Sequence, residues 1–362
     1  MNKKILIAAG GTGGHIIPAT GLAQELSCLI DAQSIYLAGH QPKIQQINTP
    51  FETYSITSGG IKSPLKICKG IYQSHQIIRE IAPDIIIGFG SYHSFPLLAS
   101  GLLHQIPLIL HEANAIPGKV NRLMSRYSLF TAVQFKEAIP LLNGKIKEAP
   151  LPLKADHLCP TLKPDEAILK LGLQLGRFTL LIFGGSQGAK GINQLIKTIL
   201  PTLVNRFSPL QVIHITGHNE KETDTIKEMY RSSSIPHFVS PFHPDMTTIW
   251  QAADFAITRA GASTIREMIH FEVPSLFIPY PFATDNHQEK NAAFICKKVG
   301  GGITLNEDNL NPQLLIKLFE KLFNHKMATL RAMKQALRSF KKRTDKKSFA
   351  ELILNQLEES GF

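Results

Sequence analysis

The sequence predicts an α/β protein made of two Rossmann-like, doubly wound domains facing each other across a cleft. Three observations carry this. Short apolar runs alternate with segments of helical spacing, the rhythm of a parallel sheet covered on both faces. A strand, a glycine-rich loop and a helix follow one another twice: Ile5–Ala9 leads into Gly10-Gly11-Thr12-Gly13-Gly14-His15, and Phe178–Phe183 into Gly184-Gly185-Ser186-Gln187-Gly188-Ala189-Lys190-Gly191. Between them, residues 140–165 are proline-rich without helical periodicity, the composition of an interdomain connection. The boundary is set near Leu153. Residues 1–153 form the first domain and 154–344 the second, with the last helix, 345–362, packing back on the first.

Taken in order, Ile16 to Leu29 has helical spacing, with Pro18 tolerated in its first turn. Ser34–Ala38 and Phe51–Ile56 read as strands, Leu65–Ile81 as a helix, Asp84–Phe89 as a strand and Phe95–His104 as a helix. Pro107–His111 is a strand and Pro117–Tyr127 a helix. In the second half the strand Gln211–Thr216 is followed by helices Asn219–Tyr230 and Asp245–Ala253, the latter carrying the only tryptophan, Trp250, as a packing residue. Asp254–Thr258 is a buried strand broken at Arg259-Ala260-Gly261, and a helix starting near Ser263 carries Glu267 in its first turn. The strand Pro274–Ile278 runs into a polar cluster at Asp285, Asn286, His287, Gln288 and Asn291. Three helices close the chain: 311–323, 327–342 and 346–358.

Composition narrows the function classes. With 43% hydrophobic and 19% charged residues, the chain is an ordinary globular protein. Cys28, Cys68, Cys159 and Cys296 are too scattered for a zinc site or a disulfide framework, which suits a reducing compartment. The apolar run before the first glycines is too short for a signal-peptide core, and no segment approaches the ~20 apolar residues of a spanning helix. The net charge of +11 favours polyanionic partners without choosing among them.

The chemistry is read from the strand ends. Four glycines around Thr12 exceed what a tight turn requires. They let a backbone approach a ligand, and the helix behind them offers N–H groups to an anion. Gly88-Phe89-Gly90-Ser91-Tyr92-His93-Ser94 and His111-Glu112-Ala113-Asn114 add polar groups at the same edge. A dinucleotide fingerprint needs GxGxxG and an acidic residue ending the second strand, where this chain has Ala38-Gly39-His40. The P-loop pattern is absent, and none of the ten aspartates forms a D-x-D pair. A phosphate leaving group must then be stabilised by backbone amides and helix N-termini. Glu267 has two readings: Thr264-x-x-Glu267 fits a capping box, whereas a carboxylate beside a glycine-rich strand end can accept both hydroxyls of a ribose. His15 is either a structural donor or a catalytic base, because a helix N-terminus disfavours its charged form. The histidines at 93, 111, 243 and 287 are ordinary polar lining.

On these residues the chain resembles the MurG family. GGTGGHIIPA, GFGSYHS, HEANAIPGKVNR, GGSQGAKGIN, RAGASTIRE and DNHQEKNA occur in that family's order over essentially the whole length. The resemblance implies the GT-B fold and an inverting transfer of N-acetylglucosamine from UDP-GlcNAc to the 4-hydroxyl of undecaprenyl-pyrophosphoryl-MurNAc-pentapeptide, lipid I, giving lipid II. It places the acceptor in the first domain and UDP-GlcNAc in the second. Donor contacts then fall on Thr12, Gly13, Gly14, Asn114, Lys154 and Ser186, on Phe242 and His243 beside the uracil, on Ala262, Ser263, Thr264, Ile265, Arg266 and Glu267, and on Gln288. Gly11, Gly14, His15, Gly90, Ser91 and Tyr92 match the acceptor pyrophosphate sites, with His15, Tyr92 and Asn114 as catalytic candidates. No metal is required, and Mg2+ is at most stimulatory. The chain departs from the family at Lys154, usually arginine, at Ser91, usually glycine, and at His287, usually glutamine. The alternatives are another GT-B enzyme such as a UDP-sugar 2-epimerase, or a non-catalytic UDP-sugar-binding protein. The implied location is peripheral, on the cytoplasmic face of the inner membrane, with no nucleic acid as partner. Ile61–Tyr72 is the expected attachment segment, with Lys62, Lys66 and Lys69 outward and Leu65, Cys68 and Tyr72 toward the core.

Overall fold

The structure, a computed structural model, describes residues 3–11, 13–40, 44, 49–60, 63–154, 162–185, 188–207, 209–345 and 347–359. Thr12, Ser186, Ile61, Lys62 and Cys159 lie outside the described residues. The chain divides into two compact units, Met1–Leu158 with Thr344–Phe362, and Cys159–Arg343.

The first unit is built on a parallel sheet of seven strands among the described residues. These are β1 (Ile5–Ala8), β2 (Ile35–His40), β3 (Glu52–Ile56), β4 (Ile85–Gly88), β5 (Leu108–Glu112), β6 (Phe130–Val133) and β7 (Ile146–Glu148), in the order β3-β2-β1-β4-β5-β6-β7. Every residue of β1, β4 and β5 is buried, because helices cover both faces of the sheet. Two strands differ from the sequence reading. β6 was unmarked by any apolar alternation, and β7 lies inside the proline-rich stretch expected to be linker. β7 is a three-residue, part-polar edge strand that bonds only to β6, so it leaves no hydrophobic pattern.

The helix Pro64–Ile81 buries Gly70, Ser74, Ile77, Ile78 and Ile81. A Cβ on Gly70 would stand 2.1 Å from the Thr57 carbonyl oxygen, so the helix touches the loop after β3 through bare backbone there. This orientation overturns the expectation that Leu65, Cys68 and Tyr72 face the core: Leu65 is 84% and Tyr72 63% exposed, and Cys68 is exposed too. Lys66 and Lys69 are exposed as well. Between this helix and Phe95–Leu103 lies a hollow of about 360 Å³ lined by Cys68, Ile71, Tyr72, His75, Ser100, Leu103 and His104. No helix among the described residues is long and apolar enough to cross a membrane.

The C-terminal helix Phe349–Glu359 belongs to this unit. Its buried Phe349 ring lies edge-on to Phe89, His111 and Phe130, at 6.1, 4.9 and 6.4 Å between centroids. The segment before it was expected to form two helices. It is a single helix, Pro312–Thr344, with Met327 at φ 60° where the break was expected.

The second unit carries a parallel sheet of six strands among the described residues. They are β8 (Phe178–Phe183), β9 (Leu210–Ile215), β10 (His237–Ser240), β11 (Phe255–Thr258), β12 (Ser275–Phe277) and β13 (Gly302–Thr304), in the order β10-β9-β8-β11-β12-β13. Its core packs Ile192, Ile196 and Ile199 of the helix Lys190–Arg206 against Leu180, Val212 and Phe319. A polar chain crosses this core. The Asn193 amide donates to the Thr216 carbonyl at 3.0 Å, which leaves its oxygen to accept from His214 Nε2 at 3.0 Å, while His214 Nδ1 accepts from the Tyr230 hydroxyl at 3.0 Å. Burial pulls the His214 imidazole from 6.5 to about 3. The unfolded chain takes up a proton below pH 6.5 that the folded one refuses, so this group's contribution is complete above pH 6.5 and drains as pH falls toward 3.

Candidate active site

Parallel sheets bind ligands beyond the carboxyl ends of strands where the strand order reverses, since the two diverging connections leave a gap there. In the first unit the reversal falls between β1 and β4, whose following loops are the first two motifs of the sequence. These loops interleave. A Cβ on Gly10 would lie 2.6 Å from His15 Cβ and 3.1 Å from Ser91 Cβ, and one on Gly11 would lie 2.2 Å from the His93 ring. His15 sits half-buried in the first turn of the helix Gly13–Ser27, next to the exposed Gly14, and Tyr92 is part-exposed. Gly11, Gly13, Gly14, His15, Gly90, Ser91 and Tyr92 therefore share one sheet edge.

Ser91 adopts φ 75° directly after Gly90 at φ 77°, and the Ser94 hydroxyl holds both by donating to their carbonyls at 3.0 and 2.6 Å. The serine thus takes the left-handed backbone that glycine adopts at no steric cost, at a penalty of ~1–2 kcal/mol. Ser91→Gly is expected to raise the melting temperature by a few degrees. An unchanged or lower melting temperature, followed by circular dichroism, would show that the serine side chain earns its place.

Sequence spacing did not reveal a second feature of this edge. The Ser58 hydroxyl lies 2.8 Å from His40 Nδ1 and 2.5 Å from His93 Nδ1, and the two imidazoles stack at 4.4 Å. His93 is therefore not plain polar lining. His111 is not lining either: it is fully buried between Phe89 and Phe349, its Nε2 3.3 Å from the Pro150 carbonyl, and burial pulls it to about 4.

Asn114 follows β5, and its position is set by Glu112, which the sequence places in the same polar run without a role of its own. One Glu112 oxygen accepts from the Asn114 backbone and side-chain amides at 2.9 and 3.4 Å. The other accepts from the Gly118 amide at 3.0 Å and Asn121 Nδ2 at 2.8 Å. Burial pushes the Glu112 carboxyl up, and these donors pull against it. Lys154 is half-buried and follows Leu153, whose carbonyl carbon and oxygen lie within 2.8 Å of a Cβ built on Gly21.

In the second unit the reversal falls between β8 and β11. The helix Ala262–Phe271 starts after β11 with Gly261 as its cap, and its first internal bond runs from the Ile265 amide to the Gly261 carbonyl. This decides two sequence readings. Thr264 is inside the helix, so it cannot cap it, and Glu267 falls in the second turn rather than the first; the capping box is not formed. Ile265 is fully buried with its amide used by the helix, so it offers nothing to a ligand, and Arg266 is buried and partnered. Ser263 and Glu267 are four residues apart and share one helix face. Ser263 Oγ is buried and lacks a hydrogen-bond partner among the described residues. Glu267 Oε2 accepts from the Trp250 indole N–H at 2.8 Å.

Arg259, at the end of β11, braces the neighbouring loop. Its guanidinium donates to the Ile278 and Pro279 carbonyls at 3.0 and 3.2 Å and pairs in a fork with Glu307 at 2.7 and 3.2 Å. Gln288 accepts from the Tyr280 amide at 3.0 Å, and buried Asn291 donates to the Ala260 carbonyl at 3.2 Å. Asp285 and Asn286 both take left-handed backbone, which turns the chain into the helix His287–Phe294. His287 Nδ1 lies 2.7 Å from the Thr284 carbonyl. Phe242 is half-exposed and stacked on His218 at 6.0 Å, while His243 Nδ1 lies 2.8 Å from the Asp245 carbonyl. No group of three or more histidine, cysteine, aspartate or glutamate side chains that could hold a metal ion occurs among the described residues.

Each unit thus presents glycine loops and helix starts at a sheet reversal, the arrangement of a nucleotide-sugar glycosyltransferase. Comparison with known proteins gives the same class: residues 5–132 match the glycosyltransferase family 28 N-terminal domain and residues 179–353 its C-terminal domain. The chain is 39% identical to the UDP-N-acetylglucosamine–N-acetylmuramyl-(pentapeptide) pyrophosphoryl-undecaprenol N-acetylglucosamine transferase of Protochlamydia amoebophila, over 99% of this chain and 97% of that one. The crystal structure of Acinetobacter baumannii MurG superimposes with a TM-score of 0.71 at 25% identity, covering 93% of this chain and 95% of that one. The crystal structure of a 'putative UDP-N-acetylglucosamine 2-epimerase' from Listeria monocytogenes shares the fold, with a TM-score of 0.66 at 14% identity over 93% and 92% of the two chains. The chain belongs to the MurG family of glycosyltransferase family 28.

Proposed function

We infer that this protein transfers N-acetylglucosamine from UDP-GlcNAc to the MurNAc 4-hydroxyl of lipid I, forming lipid II. The observation that carries this reading is the 39% identity to a transferase of that name across nearly the full length of both chains. The epimerase alternative rests on fold alone. In the reaction the acceptor hydroxyl attacks the anomeric carbon, the bond from that carbon to the UDP oxygen breaks with inversion, and the hydroxyl proton passes to a base. His15 is the candidate base. Tyr92 and Asn114 stand at the same edge of the first unit, Asn114 held there by Glu112. The departing pyrophosphate is stabilised by the helix start at Ser263 and Thr264 and by the loop after β8, so no metal is required. Glu267 accepts the ribose hydroxyls. The deciding assay is UDP release with and without a lipid I analogue, in the presence of EDTA. Acceptor-dependent release unaffected by the chelator is expected; release independent of acceptor would refute the transferase reading, and complete loss reversed by metal would refute the metal-free one.

The same reading brings the protein to a membrane surface, since its acceptor is lipid-linked. Lys66 and Lys69 share the outer surface with Leu65 and Tyr72, next to exposed Leu103. Near an anionic surface each lysine contributes ~1 kcal/mol, and inserted apolar side chains add to it. Replacing Lys62, Lys66 and Lys69 with glutamate is expected to reduce sedimentation with anionic vesicles about tenfold or more, while activity on a short-chain soluble acceptor persists. Undiminished vesicle binding at low salt would remove this segment as the attachment site.

A further inference from the structure

The single tryptophan of the chain is not merely a packing residue. Trp250 is fully buried, and its one polar atom, the indole N–H, is aimed at the Glu267 carboxylate at 2.8 Å. Its own helix, Met246–Gln251, is short but pinned at both ends. Asp245 caps it, accepting from the Thr248 amide at 3.0 Å and from Lys170 at 3.1 Å, and Gln251 donates to the Leu162 carbonyl. Phe183, the last residue of β8, lies edge-on to the indole at 5.6 Å and limits its tilt. Glu267 is 9% exposed on a different helix, with three side-chain torsions to fix. A charge-assisted bond from a rigid donor fixes the plane of that carboxylate, which a solvated glutamate would leave to rotate.

We propose that Trp250 is the positioning residue for the ribose-binding carboxylate. Its indole N–H holds one oxygen of Glu267 so that the carboxylate is presented to the vicinal 2′- and 3′-hydroxyls of the donor, and the enzyme's preference for a ribonucleotide depends on it. The inference rests on the reading of Glu267 as the ribose acceptor. It also makes the indole a reporter: a hydroxyl that hydrogen-bonds the carboxylate draws charge away from the group beside the chain's only tryptophan, so its emission responds to the ribose.

The test compares UDP with 2′-deoxy-UDP by calorimetry in the wild type, Trp250→Phe and Glu267→Gln. Phenylalanine keeps an aromatic ring but removes the N–H. UDP binding by Trp250→Phe is expected to weaken about tenfold, with 2′-deoxy-UDP affected much less, so that discrimination between the two narrows. Equal weakening for both nucleotides, or no weakening alongside a lower melting temperature, would assign Trp250 a packing role and overturn the proposal. If Glu267→Gln abolishes discrimination while Trp250→Phe preserves it, only the role of Trp250 fails. If Glu267→Gln itself leaves discrimination intact, the ribose reading of Glu267 fails and the proposal falls with it. The wild type supplies an independent check should Trp250→Phe not fold: saturating UDP is expected to change the tryptophan emission and saturating 2′,3′-dideoxy-UDP to leave it near the unliganded value. Identical emission with both nucleotides, each bound by calorimetry, would overturn the proposal.

Discussion

Glu267→Ala is expected to weaken UDP-GlcNAc binding by ~10²–10⁴-fold while the chain stays folded. Two hydroxyls bonding one carboxylate make two charge-assisted hydrogen bonds, each worth ~1.5–3 kcal/mol, and alanine removes both. The competing structural explanation was a capping box with Thr264, which would have made the same substitution a stability lesion. The helix instead begins at Ala262 with Gly261 as its cap, and Glu267 stands a full turn beyond any capping position. A smaller stability effect remains, because the buried Trp250 N–H loses its acceptor at ~1–3 kcal/mol, and the melting temperature should fall by a few degrees. Glu267→Gln keeps an acceptor for the indole, so it separates the two effects: near-normal melting with affinity still lost. Normal donor affinity in either variant, measured by calorimetry, would remove Glu267 from the site.

Why Glu267 could be weighed from sequence but not decided is a matter of three residues of helix phase, the distance from Gly261, which caps the helix, to Thr264, which the capping box requires as the cap. The capping-box pattern is local and was satisfied on paper; where the helix starts depends on Gly261 taking an extended backbone, which no periodicity encodes. The same division runs through the chain. Strands buried on both faces, such as Ile85–Gly88 and Phe178–Phe183, were legible because a continuous apolar run ending in glycine leaves few alternatives. The edge strand Ile146–Glu148 was not, since half-polar residues pair there by backbone alone. The face of Pro64–Ile81 was read wrongly because its closest approach is made by Gly70, which has no side chain to mark it. The glycine loops were visible in the sequence, whereas the groups bracing the site were hidden by distance along the chain. Ser58 with His93, Trp250 with Glu267 and Arg259 with Glu307 are each brought together by the parallel topology, which returns every strand end to one edge.

The last of these pairs carries the second large effect. Glu307→Ala is expected to destabilise the second unit by ~3 kcal/mol, because it leaves the Arg259 guanidinium, 8% exposed, without its counter-charge. In a domain of this size that lowers the melting temperature by ~6–12 °C. Donor binding should weaken as well. Arg259 holds the Ile278 and Pro279 carbonyls, the next amide along belongs to Tyr280, and Gln288 accepts from it; a loosened guanidinium loosens the loop that presents Gln288. Glu307 also fills the space over Gly191, where an added Cβ would meet its carboxylate at 1.9 Å, so the brace reaches the helix behind the loop after β8. The double variant Arg259→Met, Glu307→Leu tests the origin of the effect. A buried ion pair replaced on both sides by apolar groups of similar size costs far less than one left half-broken. The double variant should therefore melt above Glu307→Ala yet still bind UDP-GlcNAc weakly, since methionine cannot hold the two carbonyls. If Glu307→Ala melts within a degree of the wild type, the pair is not a brace, and if the double variant binds donor normally, the carbonyl contacts of Arg259 do not shape the site.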